Sequence, residues 1–266
     1  MNTSETEWEK IKEELISRPL INDLTGKRLQ FTDQDLRNIY LPLSDWLLKR
    51  THLTQRSLTA VAGPPGIGKS AFIQILSEIL CIRCGKRISA CAGMDGWHYS
   101  REYLQSHTIC KNGQEISLAE IKGSPESFDQ AGFLNFVHDI FTFPSLKFPI
   151  YSRLQHEPIP DAGTITPENQ LIFLEGNYLL LDEPQWNTLF PFYSSRIFLF
   201  TEKEKLLDGL LQRKISGGTE PEAARRHVMH VDAADIDLVL QKSTGYDLKI
   251  IWNFQDKGKN QILPAN

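Results

Sequence analysis

Residues 63–70 read Gly63-Pro64-Pro65-Gly66-Ile67-Gly68-Lys69-Ser70, followed by Ala71, and no other stretch limits the fold as tightly. The spacing is G-x-x-x-x-G-K-[ST], with an apolar β-type run at 58–62 before it and a helical period at 69–80 after it. Glycines let successive backbone N–H groups turn inward around a phosphate, and the following helix presents its free N–H groups to the same anion. Lys69 is then placed to neutralise β- and γ-phosphates, and the Ser70 hydroxyl to coordinate Mg²⁺. A glycine-rich turn with a chance lysine requires neither the strand nor the helix. Residues 63–71 are the expected binding segment for a nucleoside triphosphate with Mg²⁺.

The 266 residues are 41% hydrophobic and 23% charged, enough for one large buried core. With 29 basic against 33 acidic residues the net charge is -4, which argues against a dedicated nucleic-acid binder. No apolar run reaches membrane-spanning length, and the acidic N-terminus lacks the pattern of a signal peptide. A soluble, cytoplasmic protein is expected, with a homodimer left open. Cys81 and Cys84 form a C-x-x-C at the end of a helical run, with Cys91 and Cys110 beyond. No second close pair or matching histidines accompany them, so ordinary reduced thiols are expected.

Short apolar runs at 58–62, 87–91, 171–175, 196–200 and 248–251 alternate with helical periods at 69–80, 125–141, 202–215 and 221–230. The alternation predicts an α/β fold with a parallel, doubly wound sheet and helices on both faces. Residues 1–56 read as a helical N-terminal extension, in which Trp8, Ile11, Leu15 and Ile16 share a face. Thr32 caps a second helix carrying Leu36, Ile39, Tyr40, Leu43, Trp46 and Leu47; Pro42 lies inside it or divides it. Residues 57–266 form the main domain. Ser124, Pro125 and Glu126 read as the start of the 125–141 helix. Residues 142–170 hold five prolines and no clear period, and read as a long functional loop.

Two acids stand out by position. Glu175 ends an apolar strand, where an open parallel sheet places its ligand crevice, and is the expected Mg²⁺ ligand beside Ser70. Asp95, in Met94-Asp95-Gly96-Trp97-His98, follows another candidate strand and suits the orientation and deprotonation of a hydroxyl. A turn-forming Asp or a solvated strand-end acid is the plainer alternative for each. Asn-Lys-x-Asp and a post-strand Asp-x-x-Gly are both missing, which argues against a GTPase. Arg225, Arg226 and the Glu202–Lys205 run read as solvated helix faces.

With these residues in hand, the chain resembles, over roughly residues 32 to 252, the P-loop kinases of the pantothenate kinase, uridine kinase and phosphoribulokinase group. Phe31-Thr32-Asp33 through Ser44 is similar to the helical lead-in of bacterial pantothenate kinases. Met94–Trp97 with His98 is similar to an Asp-Gly-Phe-His segment, Lys122 to Asp129 to an acceptor-side segment, and Glu175-Gly176 to a Glu-Gly strand end. Leu211 to Gly218 looks like a lid, at about 213–230, which implies that Arg213 closes over the phosphates. Tyr151-Ser152-Arg153-Leu154-Gln155-His156 departs from the pantothenate kinase form and looks more like a sugar-kinase-like, fructose-operon branch.

The resemblance implies transfer of the ATP γ-phosphoryl group to a hydroxyl of a small metabolite. The expected catalytic residues are Asp95, Lys69 and Arg213. Asp95, His98, Tyr99, Lys122, Asp129, Tyr151, Arg153 and His156 are expected to line the acceptor side. Pantothenate kinase proper, and an ATP-binding switch that hydrolyses slowly without an acceptor, are the competing readings.

Overall fold

The computed structural model describes residues 5–21, 26, 28–51, 55–111, 113–253 and 259–264. Residues 1–4 of the acidic N-terminus lie outside the described residues. From the N-terminus, α1 (Glu5–Ser17) buries Trp8, Ile11 and Leu15 but leaves Ile16 half exposed. α2 (Asp33–Asp35) is capped by Thr32, whose hydroxyl accepts from the Asp35 N–H at 3.0 Å. It runs through a π turn at Leu36–Tyr40 into α3 (Leu41–Arg50). Pro42 therefore sits inside a continuous helical run, in the first turn after the widened segment, where its missing N–H costs little.

β1 (Ser57–Ala62) feeds the glycine loop and α4 (Lys69–Cys84), and β2 (Ser89–Gly93) follows. A 3₁₀ turn at Met94–Trp97 leads to α5 (Arg101–Ser106) and a small hairpin of β3 (Thr108–Lys111) and β4 (Gln114–Ser117). Beyond them come α6 (Gln130–Thr142), the hairpin of β5 (Leu146–Ser152) and β6 (Glu157–Ile165), then β7 (Leu171–Gly176) and α7 (Pro184–Asn187). The chain ends with β8 (Ser195–Phe200), α8 (Lys203–Ser216), α9 (Pro221–His227), a π turn at Val228–Asp232, α10 (Ala233–Lys242), β9 (Leu248–Ile251) and β10 (Gln261–Pro264).

The main sheet has the order β2-β7-β1-β8-β9-β10, parallel except for β10. β1 is buried throughout, as expected of a central strand covered on both faces. One apolar layer joins α1, α3, α4 and α8 to the sheet through Leu15, Leu43, Phe72, Ile79 and Leu206. The opposite layer packs Phe133, Val137, Trp97, Tyr178 and Trp186 against Leu58, Ala60, Ile172 and Leu174. The mostly parallel sheet with helices on both faces is the α/β architecture that the sequence pattern predicts. Among the described residues no helix is long and apolar enough to cross a membrane.

Three expectations need correction. The 125–141 helix begins later, because Phe128 is extended and bridges to His98, and Asp129 rather than Ser124 caps α6. The segment 142–170 is not a structureless loop but the β5–β6 ribbon. Its prolines fit because a two-stranded ribbon leaves outward N–H positions unpaired, and the register slips beside Pro149. The 221–230 helix stops at His227 and continues through the π turn into α10, which the sequence reading did not anticipate.

Candidate active site

Strand register builds the site. Ala62, the last residue of β1, pairs with Gly176 of β7, and Val61 pairs with Glu175. The glycine loop and the Glu175 carboxylate therefore emerge side by side at the C-terminal edge of the sheet, where α/β proteins hold ligands. Gly66 and Gly68 have φ of 83° and 90°, a region that side chains rarely adopt, so both positions require glycine. The Ser70 hydroxyl donates to Glu175 Oε1 at 2.7 Å. This hydroxyl–carboxylate pair is a hard-oxygen donor set of the kind that suits Mg²⁺ shared with phosphate oxygens.

Lys69 is only 7% exposed. Its ammonium donates to the carbonyls of Gly63 at 2.9 Å and Pro64 at 3.1 Å, and to Asn177 Oδ1 at 2.6 Å. Burial lowers its pKa to about 8, against the opposing pull of Glu175 and Asp95, with Arg213 and Arg153 adding to the drop. Burial likewise pushes the Glu175 carboxyl up, while Lys69 and the Ser70 hydrogen bond resist. Both groups are thus biased toward their neutral forms, as expected of charges set in a crevice wall.

Lys69, Ser70 and Glu175 lie in the lining of a crevice of 1880 Å³. Asp95, His98, Lys122, Tyr151, Arg153, His156 and Arg213 all line it. The Asp95 carboxylate is 46% exposed and so accessible from the crevice. His98 packs its ring against Phe128 (3.9 Å between centroids) and Tyr151 (5.2 Å), and its Nδ1 lies 3.0 Å from the Asp95 carbonyl. Burial lowers the His98 pKa despite Asp95, so the imidazole is neutral at neutral pH. Arg153 and Arg213 come from the β5–β6 turn and from α8. Among the described residues, neither guanidinium has a hydrogen-bonded or ion-paired side-chain partner. Burial and then Arg153 lower the Arg213 pKa, so the two arginines feel one another's charge across the crevice.

Other expected residues stand elsewhere. Asp129 and Tyr99 are not among the crevice-lining residues. Asp129 Oδ1 accepts from the Gly132 N–H at 2.9 Å, so helix capping occupies it. Tyr99 stacks on Tyr103 with centroids 4.2 Å apart. Lys122 lines the crevice but is engaged by the protein: its ammonium donates to the His156 carbonyl at 3.0 Å and lies 5.2 Å from the Tyr151 ring centre. Arg225 and Arg226 are exposed, whereas His227 turns to the crevice beside Asp232. All four cysteines are free.

Two further residues were not singled out from the sequence. Asn177 follows the Glu-Gly strand end, and only its contact with Lys69 marks it. Asp235, 6% exposed on α10, lines the crevice; burial pushes its pKa up to about 7, against the pull of the nearby Tyr178 hydroxyl. Its signal, an acid in an otherwise apolar helical face, could have been read only if α10 had been recognised.

The geometry has counterparts among known proteins. No family model matches the chain. A protein named "Putative uridine kinase" from Schizosaccharomyces pombe is 30% identical over 177 residues, covering 65% of this chain and 73% of that protein. A pantothenate kinase from Histophilus somni is 27% identical over 232 residues, covering 78% and 70%. The crystal structure titled a "putative fructose transport system kinase" from Silicibacter sp. TM1040 superposes with a TM-score of 0.69 at 29% identity, covering 78% of this chain and 97% of that one. The glycine loop at the centre of a parallel sheet and the extent of these matches together lead to one conclusion: the chain belongs to the P-loop kinase group of the uridine and pantothenate kinases.

Proposed function

We propose that this kinase transfers the γ-phosphoryl group of ATP to a hydroxyl of a small polar metabolite. The observation that carries the reading is that the glycine loop and the Asp95 carboxylate, 46% exposed, line one crevice. Residues 63–71 would hold the nucleotide phosphates, and Lys69 would neutralise their charge. Ser70 and Glu175 would hold Mg²⁺, which when bound shields the phosphate oxygens and draws charge from the leaving group. A phosphate beside Lys69 and a cation beside Glu175 would each restore the charged form that burial disfavours.

Asp95, open to the crevice, accepts the hydroxyl proton as the acceptor attacks. Arg213 from α8 and Arg153 from the hairpin turn face the same space, and their unshared charge suits the transferring phosphoryl group and an anionic or hydroxyl-rich acceptor. Tyr151, His98 and Phe128 form the aromatic wall against which such a molecule would lie. An apolar acceptor is disfavoured, because it would leave these polar groups desolvated and unpaired. A screen of sugars, glycerate, nucleosides and pantothenate by coupled ADP release tests the reading. Stimulation by one class supports it, and flat basal turnover with every alcohol assigns the protein to the nucleotide-switch class instead.

A further inference from the structure

The three protons of the Lys69 ammonium are all spent inside the protein. A lysine ammonium has three donors and no acceptor capacity. Here they go to two backbone carbonyls of the nucleotide loop, Gly63 and Pro64, and to the side-chain oxygen of Asn177, the shortest of the three at 2.6 Å. A phosphate oxygen that takes a hydrogen bond from Lys69 must therefore displace one of them.

The three partners differ in how freely they can leave. Gly63 is clamped: a Cβ placed there would meet the Leu199 carbonyl oxygen at 2.7 Å, so the loop backbone lies hard against β8. Pro64 follows directly, with φ fixed by its ring. Asn177, by contrast, is a partly exposed side chain in the bend after β7, on the crevice wall. Among the described residues, its carboxamide makes no other hydrogen bond. Rotation about its side-chain torsions releases Lys69 without moving the backbone.

Resting on the reading of Lys69 as the nucleotide-phosphate lysine, we infer that Asn177 is a competitor of the nucleotide for that ammonium. It holds Lys69 in the unliganded protein, yields it when the β- and γ-phosphates arrive, and its carboxamide then turns free into the crevice that Asp95 also lines. Asn177 is thus a positioning residue that acts through Lys69. A charge-assisted hydrogen bond is among the stronger contacts a side chain can lose, so its removal should be visible in affinity.

The test is isothermal titration of the parent, Asn177→Leu and Asn177→Asp with MgATP, and with AMP as a ligand that has no β- or γ-phosphate. Asn177→Leu should bind MgATP about tenfold more tightly, since nothing then competes for Lys69. Asn177→Asp should bind it at least tenfold more weakly, because a carboxylate holds the ammonium harder. AMP affinity should be the same in all three. Thermal denaturation checks that each variant folds, with the smaller change Asn177→Ser standing in for the leucine variant if it does not. Unchanged or weaker MgATP binding by the folded leucine or serine variant overturns the inference, and so does a parallel change in AMP binding. If the parent binds no MgATP, the nucleotide reading of Lys69 fails, and this inference fails with it.

Discussion

Replacing Lys69 with methionine should make the protein more stable while removing its nucleotide function. Lys69 is 7% exposed, and burial lowers its pKa from 10.5 to about 8. At about 1.4 kcal/mol per pH unit, that drop corresponds to roughly 3 kcal/mol held against folding at neutral pH. Methionine keeps the stem and packing but carries no charge to desolvate. It also leaves the Gly63 and Pro64 carbonyls without their donor, which returns about 1 kcal/mol for each. The expected net is about 1 kcal/mol of stabilisation, or a rise in Tm of roughly 2–4 °C for a chain of this size.

The pH dependence carries the sharper part. Between pH 8 and 10.5 the unfolded parent binds a proton at Lys69 that the folded parent does not, so parental stability rises with pH there. The variant lacks this term. The stability gap should be full below about pH 8 and close as pH approaches 10.5. Urea unfolding of parent and variant at pH 7, 8.5 and 10, followed by circular dichroism, measures it. A variant less stable than the parent at pH 7, or a gap that stays constant with pH, would mean that the Lys69 charge does not weigh against folding.

Glu175→Gln removes the charge opposite Ser70 and should raise the Mg²⁺ concentration needed for half-maximal turnover several-fold; unchanged metal dependence takes Glu175 out of the site. Arg153→Ala should raise KM for the acceptor identified by the ADP-release screen by about tenfold or more, with KM for ATP nearly unchanged, as expected for a charge-assisted contact on the acceptor side. Asp235→Asn should stabilise the protein above pH 7 and have little effect near pH 4. The parent's carboxyl, with its pKa raised from 3.8 to about 7, binds a proton in the folded state that the unfolded state has lost, so parental stability falls across that interval.

The glycine loop between β1 and α4 was legible in the sequence because its residue types and spacing leave little freedom: two glycines with φ near +90°, a lysine and a hydroxyl. Glu175 was legible because a single charge at the end of an apolar strand has only one functional edge of the sheet to occupy. The β5–β6 ribbon was not, since Pro149, Pro158 and Pro160 interrupt the period-2 pattern by which strands are recognised. Asp129 was misplaced because capping and substrate contact ask for the same short acid at a helix start, and only the bond to Gly132 separates them. Lys122 shows a similar limit: its engagement with the His156 carbonyl depends on a hairpin that the sequence pattern did not reveal. Asn177 carries no local pattern, and the pattern of Asp235, an acid on the apolar face of α10, needed a helix that the sequence reading did not anticipate; tertiary packing brings the one to Lys69 and the other to the crevice.

Acceptor-dependent ADP release by the parent and by Asp95→Asn separates a role for Asp95 on the acceptor from the role of the glycine loop on the nucleotide. With an alcohol that stimulates the parent, the asparagine variant should lose about 10²–10⁴-fold in kcat while its affinity for MgATP stays within about twofold. A loss below about tenfold, or a matching loss of MgATP affinity, would contradict the assignment of Asp95 as the base.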